Sequence, residues 1–93
     1  MSNASKTVHI GFNNSVITEK IIAIVNPDSN PTRRIINDAR SNGNLVDATE
    51  GRRTRAVLVM DGGLIVLSAL MPETIVARIE AHTIDTSMKE KES

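Results

Sequence analysis

The stretch that constrains the fold most runs from Arg55 to Leu70. Two apolar segments, Arg55 to Met60 and Leu64 to Leu70, flank Asp61-Gly62-Gly63. Segments rich in Val, Ile and Leu on either side of a glycine turn specify a β-hairpin. With Gly62 and Gly63 as the loop residues, Val59 is expected opposite Val66 and Val57 opposite Ser68. Leu58 then faces Leu67, and Ala56 faces Ala69. Both strands are apolar on both faces, whereas an antiparallel sheet with one wet side alternates. Any fold of this chain must therefore cover both sides of the hairpin.

The other elements follow from turn and cap residues. Val8 to Phe12 alternates and reads as a strand, with a turn at Asn13-Asn14-Ser15. Val16-Ile17 and Ile21 to Val25 form a second extended segment, interrupted at Thr18-Glu19-Lys20 by a bulge or tight turn. Pro27 ends it. Asn30 suits an N-cap and Pro31 the first helical position. Ile35, Ile36 and Ala39 are expected on the inward face of that helix, and Gly43 stops it. Leu45 to Ala48 is a short strand or connector. Pro72 starts a second helix with Ile75, Val76 and Ile79 inward. The expectation is an α+β domain in the order β-β-α-β-β-β-α, with a small, mostly antiparallel sheet and two helices. Residues 1–7 read as a disordered arm, 8–82 as one domain and 83–93 as a polar flexible tail.

Ninety-three residues make one domain. A chain of this size buries roughly 60–65% of its unfolded surface. Two short helices cover one sheet face, so the other is expected to meet a second subunit, giving a homo-oligomer that assembles through the sheet. There is no cysteine, hence no disulfide framework, zinc–cysteine site or thiol nucleophile. No apolar run approaches the roughly 20 residues of a membrane span, and Met1 to Lys6 lacks a signal-peptide core. A cytoplasmic protein with no membrane partner fits these features.

Formal net charge is zero, yet charge is unevenly placed. Residues 20–55 hold seven Lys/Arg against four acids, and residues 56–93 hold three against six. The densest feature is Gly51-Arg52-Arg53-Thr54-Arg55 at the start of the apolar hairpin. The guanidinium fork matches phosphate geometry, and Arg53 and Arg55 share strand parity. Arg33 and Arg34 lie in the first turn of the helix that begins at Pro31, whose free N–H groups and dipole suit an anion. The bland reading of both groups is a solvated surface that keeps an apolar sheet soluble.

Catalysis has little support. His9 and His82 lie near opposite ends of the chain, Ser68 has no visible base, and Gly62-Gly63 lacks the context of a phosphate-binding loop. Asp47 and Glu50 are more simply ion-pair partners of the nearby arginines than a catalytic pair. No enzyme, metal or cofactor is expected. Nucleic-acid binding by base stacking needs aromatic platforms, and Phe12 is the one aromatic residue. A nucleic-acid target is then duplex DNA held by its phosphates.

The runs Ile10-Gly11-Phe12-Asn13, Ile21 to Pro27, Pro31 followed by Arg34, and above all Asp47 to Val57 resemble the RemA-like proteins, the bacterial extracellular matrix regulator A family. Leu67-Ser68-Ala69 and Pro72-Glu73-Thr74 continue the likeness, which covers roughly Val8 to Glu80. The resemblance implies a cytoplasmic DNA-binding activator of transcription, biofilm matrix genes included, with a fold related to LytTR-type domains. It implies closed rings of roughly eight subunits with an arginine-bearing rim. It places DNA contacts on Arg52 and Arg53 and a sensitive proline on Pro31. Two positions depart from the family pattern. Lys20 stands where the family has an arginine, and Glu50 where it often has an aromatic. Arg52 and Arg53 are thus expected to contact phosphates, with Lys20, Arg55, Pro31, Arg34 and Arg33 assisting. The alternative is a structural or adaptor oligomer whose arginines serve subunit or partner contacts; a small anion-binding or enzymatic module is a third reading.

Overall fold

The computed structural model describes residues 6–81. The expectations for residues 1–5, for His82 and for the tail at 83–93 lie outside them. Six strands and two helices form an α+β domain. They are β1 (Thr7–Gly11), β2 (Asn14–Ile17), β3 (Ile21–Val25), α1 (Asn30–Asn42), β4 (Leu45–Asp47), β5 (Ala56–Met60) and β6 (Ile65–Ser68), followed by α2 over residues 72–81. Thr7, expected in a disordered arm, opens β1.

The first hairpin turns one residue earlier than expected. Phe12 and Asn13 both have positive φ, 53° and 65°, the backbone of a type I′ turn, whose twist matches the flanking strands. Asn14 and Ser15 belong to β2 rather than to the turn. The interruption at Thr18–Lys20 is a 3-10 turn. It divides the second extended segment into two strands of different sheets: β1 pairs with β2 alone, while β3 joins a four-stranded sheet of order β3-β5-β6-β4. In that sheet β4 runs parallel to β6, and the other pairs are antiparallel.

The central hairpin differs from expectation by one residue. Ala56 faces Ser68, Val57 faces Leu67, Leu58 faces Val66 and Val59 faces Ile65. All three of Asp61, Gly62 and Gly63 are loop, because Met60 N–H donates to Leu64 O at 2.9 Å. Two consecutive glycines at φ +91° let the chain turn without a Cβ clash. A shift in pairing decides which residues share a face. Ala56, Leu58, Met60 and Val66 pack with Val8, Ile10 and Ile75. Val57, Ile65 and Leu67 pack with Ala39 on the other side.

The two helices therefore do not share a face. α1 covers one side through Ala39 and Ile36. The β1–β2 hairpin and α2 cover the other through Val8, Ile10, Val16, Ile75 and Ile79. Both faces of the sheet are filled within one chain, which corrects the reasoning that left a bare face for a second subunit. Reading β1 as part of the main sheet hid its role as a lid. Ile35 and Val76, expected inward, are 38% and 40% exposed, and buried Thr32 takes the inward place in the first turn of α1. The open parts of the sheet are its edges, where Ile22 on β3 is 66% exposed and Val46 on β4 is 44% exposed.

Candidate nucleic-acid interface

The arginine block is a bridge over the end of β6. Its parent strands flank β6 on opposite sides, so residues 48–55 cross from β4 to β5. Both feet of the bridge are tied to β6: Ala48 N–H donates to Leu67 O at 2.9 Å and Arg55 N–H to Ser68 O at 2.8 Å. The arch itself is a type I′ turn. Arg52 N–H donates to Thr49 O at 2.9 Å, with Glu50 at φ 53° and Gly51 at φ 79°. Gly51 serves by adopting this left-handed backbone; open space surrounds the position where a Cβ would stand.

Asp47 holds the near side of the arch. Its carboxylate accepts from Thr49 N–H at 2.9 Å and Thr49 Oγ1–H at 2.6 Å. The Thr49 hydroxyl and then its backbone N–H lower the Asp47 pKa; slight burial raises it, and the charge of Arg40 lowers it further. Asp47 was expected to pair with the adjacent arginines. Instead it is a turn clamp, because the arch carries the arginines past β6 while the short Asp47 side chain reaches only its own turn. Among the described residues no carboxylate pairs with Arg52, Arg53 or Arg55.

Three further pieces of chain meet the arch. Arg52, Arg53 and Arg55 line an open cleft of ≈ 350 Å³ with Phe12, Ala69 and Leu70. Arg52 to Arg55 precede β5, which begins at Ala56, so strand parity does not sort them and all three arginines line one cleft. The Arg52 guanidinium carbon lies 5.7 Å from the centroid of the Phe12 ring. Sequence reasoning gave Phe12 no role; its being the one aromatic residue was the available signal. A smaller crevice of ≈ 60 Å³, which shares Arg53 and Arg55 with that cleft, brings Asn26, Pro27 and Asp28 beside Thr54 and Met71. Val25 at the end of β3 pairs with Val57 near the start of β5, so the start of α1 lies at the same end of the sheet as the arginines.

That helix start is closed to an anion at most of its first-turn donors. Ser29, not Asn30, is the N-cap. Its Oγ accepts from Thr32 N–H at 3.2 Å and donates to Thr32 Oγ1 at 2.8 Å. Arg33 N–H already donates to Ser29 O at 3.0 Å, and Pro31 has no N–H. What this end offers is the exposed side chains of Arg33 and Arg34, a rigid helix start set by Pro31, and the helix dipole.

Lys20 lies elsewhere. Ile21 pairs with Met60, so Lys20 sits at the far end of β3, about 15 Å from the arginine end along the strand. Its Nζ is 3.9 Å from Asp61 in the hairpin loop, both side chains well exposed. It flanks a second, more apolar cleft of ≈ 350 Å³ that includes Val16, Ile17, Met60 and Leu64. Among the described residues no group of three or more His, Cys, Asp or Glu side chains is placed to hold a metal ion. No described helix is long and apolar enough to cross a membrane.

The family profile described as RemA-like, extracellular matrix regulatory protein A-like, matches residues 7–79. The chain belongs to the RemA-like family. A relative in Dictyoglomus thermophilum is 60% identical over 75 residues, covering 81% of this chain and 88% of its own. One in Thermosynechococcus vestitus is 58% identical over 77% of this chain and 94% of its own. One in Symbiobacterium thermophilum is 48% identical over 94% of this chain and 92% of its own. All three are named as candidate regulatory proteins. The matched span includes the arch, the hairpin tip at Phe12 and the start of α1.

Proposed function

We propose that this RemA-like protein is a DNA-binding transcriptional regulator that works in the cytoplasm as a ring-like homo-oligomer. It activates genes such as those for biofilm matrix, in keeping with the family's name. The observation that carries the proposal is the arch: three arginines without carboxylate partners among the described residues, on a turn tied at both ends to the central strand. Such guanidinium groups offer bidentate hydrogen bonds to phosphate, and the tied backbone leaves the side chains as the part still to be ordered on binding. Arg52 and Arg53 take phosphates directly. Arg55, Arg33 and Arg34 widen the positive rim, and Pro31 fixes the helix start beside it. Lys20, at the far end, reaches the same duplex only if the DNA runs along the sheet or spans neighbouring subunits.

Zero net charge is compatible with this reading because only the presented end meets DNA. Each phosphate neutralised adds about −0.9 to the slope of log affinity against log salt. Two or three phosphates per subunit give weak binding alone, and arraying copies on one duplex adds about 10²–10⁴ in affinity where geometry permits. Sequence preference then comes largely from DNA shape, since little in the described residues resembles a base-reading helix. The test is duplex binding by fluorescence anisotropy for wild type and Arg52→Ala/Arg53→Ala, with the mass of each measured by light scattering. The expected result is loss of binding at unchanged mass. Wild-type-like DNA affinity in the double variant rejects the reading. A wild type that ignores DNA, with a double variant that falls apart, supports an adaptor oligomer instead.

A further inference from the structure

We propose that Phe12 is a positioning residue for Arg52: its ring is a fixed shelf that holds the guanidinium in the pose used on phosphate. The inference rests on the DNA-binding reading above and adds a residue to it from another element of the fold.

Three observations converge on this role. The first is backbone cost. Phe12 has φ 53°, a left-handed conformation that is an outlier for a bulky side chain. Position 12 shares a type I′ turn with Asn13, where Asn, Asp or Gly fits without strain. A phenylalanine held there suggests selection for something other than the turn. The second is placement. The ring is 45% exposed and lines the cleft with Arg52, Arg53 and Arg55. A ring that served only to fill the core would be buried like Ile10 or Ile75. The third is registration. The tip is tied to the strand that carries the arch: Ser68 Oγ–H donates to Ile10 O at 2.9 Å and accepts from Leu70 N–H at 3.0 Å. A Cβ on Gly11 would stand 3.6 Å from the Leu70 side chain, so Leu70 lies within one added carbon of touching the backbone beside Phe12. Ring and guanidinium therefore keep their 5.7 Å relation through the fold rather than by chance meeting of two loose side chains.

The physics is that of a cation over a π face. The ring quadrupole attracts the guanidinium and restricts its rotamers without consuming any of its N–H donors. All five stay available for phosphate oxygens. A carboxylate partner would hold the arginine as well, but would occupy those donors and repel the DNA.

The test uses the full-length chain and a fluorescent duplex titrated across a salt series. Phe12→Asn puts a turn-favoured residue at position 12 and is expected to keep a wild-type melting temperature. Its affinity should fall about two- to fivefold per engaged subunit. The salt slope should become shallower by up to about 0.9 for each phosphate that Arg52 no longer neutralises. Phe12→Trp, which keeps the π face, should restore both. Phe12→Asn should add nothing to Arg52→Ala, yet add fully to Arg53→Ala. Wild-type affinity and slope in Phe12→Asn overturn the proposal. So does a loss of affinity that adds equally to both arginine variants with no change in slope, which would mark Phe12 as an independent apolar contact. A wild type that does not bind duplex DNA removes the reading on which the proposal rests, and that outcome is distinct from both.

Discussion

At the scale of single residues, the site depends on left-handed backbone at two facing turns. Glu50-Gly51 presents the arginines and Phe12-Asn13 presents the ring beside them. The arch is further held by Asp47, whose carboxylate is shared by the two Thr49 donors. Because those hydrogen bonds lower the Asp47 pKa in the folded state, they link stability to pH. A depressed folded pKa contributes stability that is fully present above the unfolded value of 3.8. That stability is lost as pH falls through 3.8 and on through the lower folded value. Asp47→Asn removes the titration. Melting temperature measured from pH 6 down to about pH 2.5 should show wild type above Asp47→Asn at the upper end and the gap closing below 3.8. A gap independent of pH would remove the charge from the role of Asp47 as a clamp. Arg52, Arg53 and Arg55 were legible as a group in the sequence because their close spacing is local. The Phe12–Arg52 contact was not, because it joins residues forty positions apart.

At the scale of elements, Ser68 holds the β1–β2 hairpin against the end of β6. It is fully buried and its hydroxyl both donates to Ile10 O and accepts from Leu70 N–H. Ser68→Ala removes the hydroxyl from a buried contact with Ile10 O and a half-buried one with Leu70 N–H and should cost about 1–3 kcal/mol. Hydrogen exchange should localise the damage, with β1 amides protected less while those of β5 change little. Uniform loss of protection across both sheets would mean that the hairpin and the main sheet unfold as one unit. Ile75, fully buried on the inner side of α2, is the comparison: Ile75→Ala should cost about 2–5 kcal/mol through the cavity it leaves. The type of most elements was readable from turn, cap and periodicity signals, but the division of the second extended segment into β2 and β3 of separate sheets was not. The hairpin register was not, because Asp61-Gly62-Gly63 is compatible with a two- or a three-residue loop. Only the pairing with α1 on one face and with β1 on the other selects between them.

At the scale of the whole molecule, the sheet is covered on both faces within one chain, which directs any assembly to its edges and exposed side chains. Ile22 on the β3 edge, the most exposed large apolar residue described, is the natural first probe. In the proposed ring, Ile22→Lys should lower the mass measured by light scattering while the melting temperature of the dissociated subunit stays close to wild type. An unchanged mass moves the subunit contact away from that edge. DNA affinity should fall with the mass, since the ring supplies most of the avidity. The split site makes the same point from the other side. Lys20 sits with Asp61 at one end of the sheet and Arg52 and Arg53 at the other, a separation that a linear motif conceals.

What the amino-acid order settled unaided was local: an α+β pattern, an apolar hairpin too greasy to stand alone, and an arginine block placed where a strand begins. Those properties depend on neighbours within a few residues, where backbone sterics and period-two alternation operate directly. Only the folded chain decided which layer covers which face, the register of the central pair, and the company each charged side chain keeps. These rest on contacts distant in sequence, such as Ser68 with Ile10 and Arg52 with Phe12. Their energies exist only once the intervening chain has closed, and short-range propensity carries no record of them.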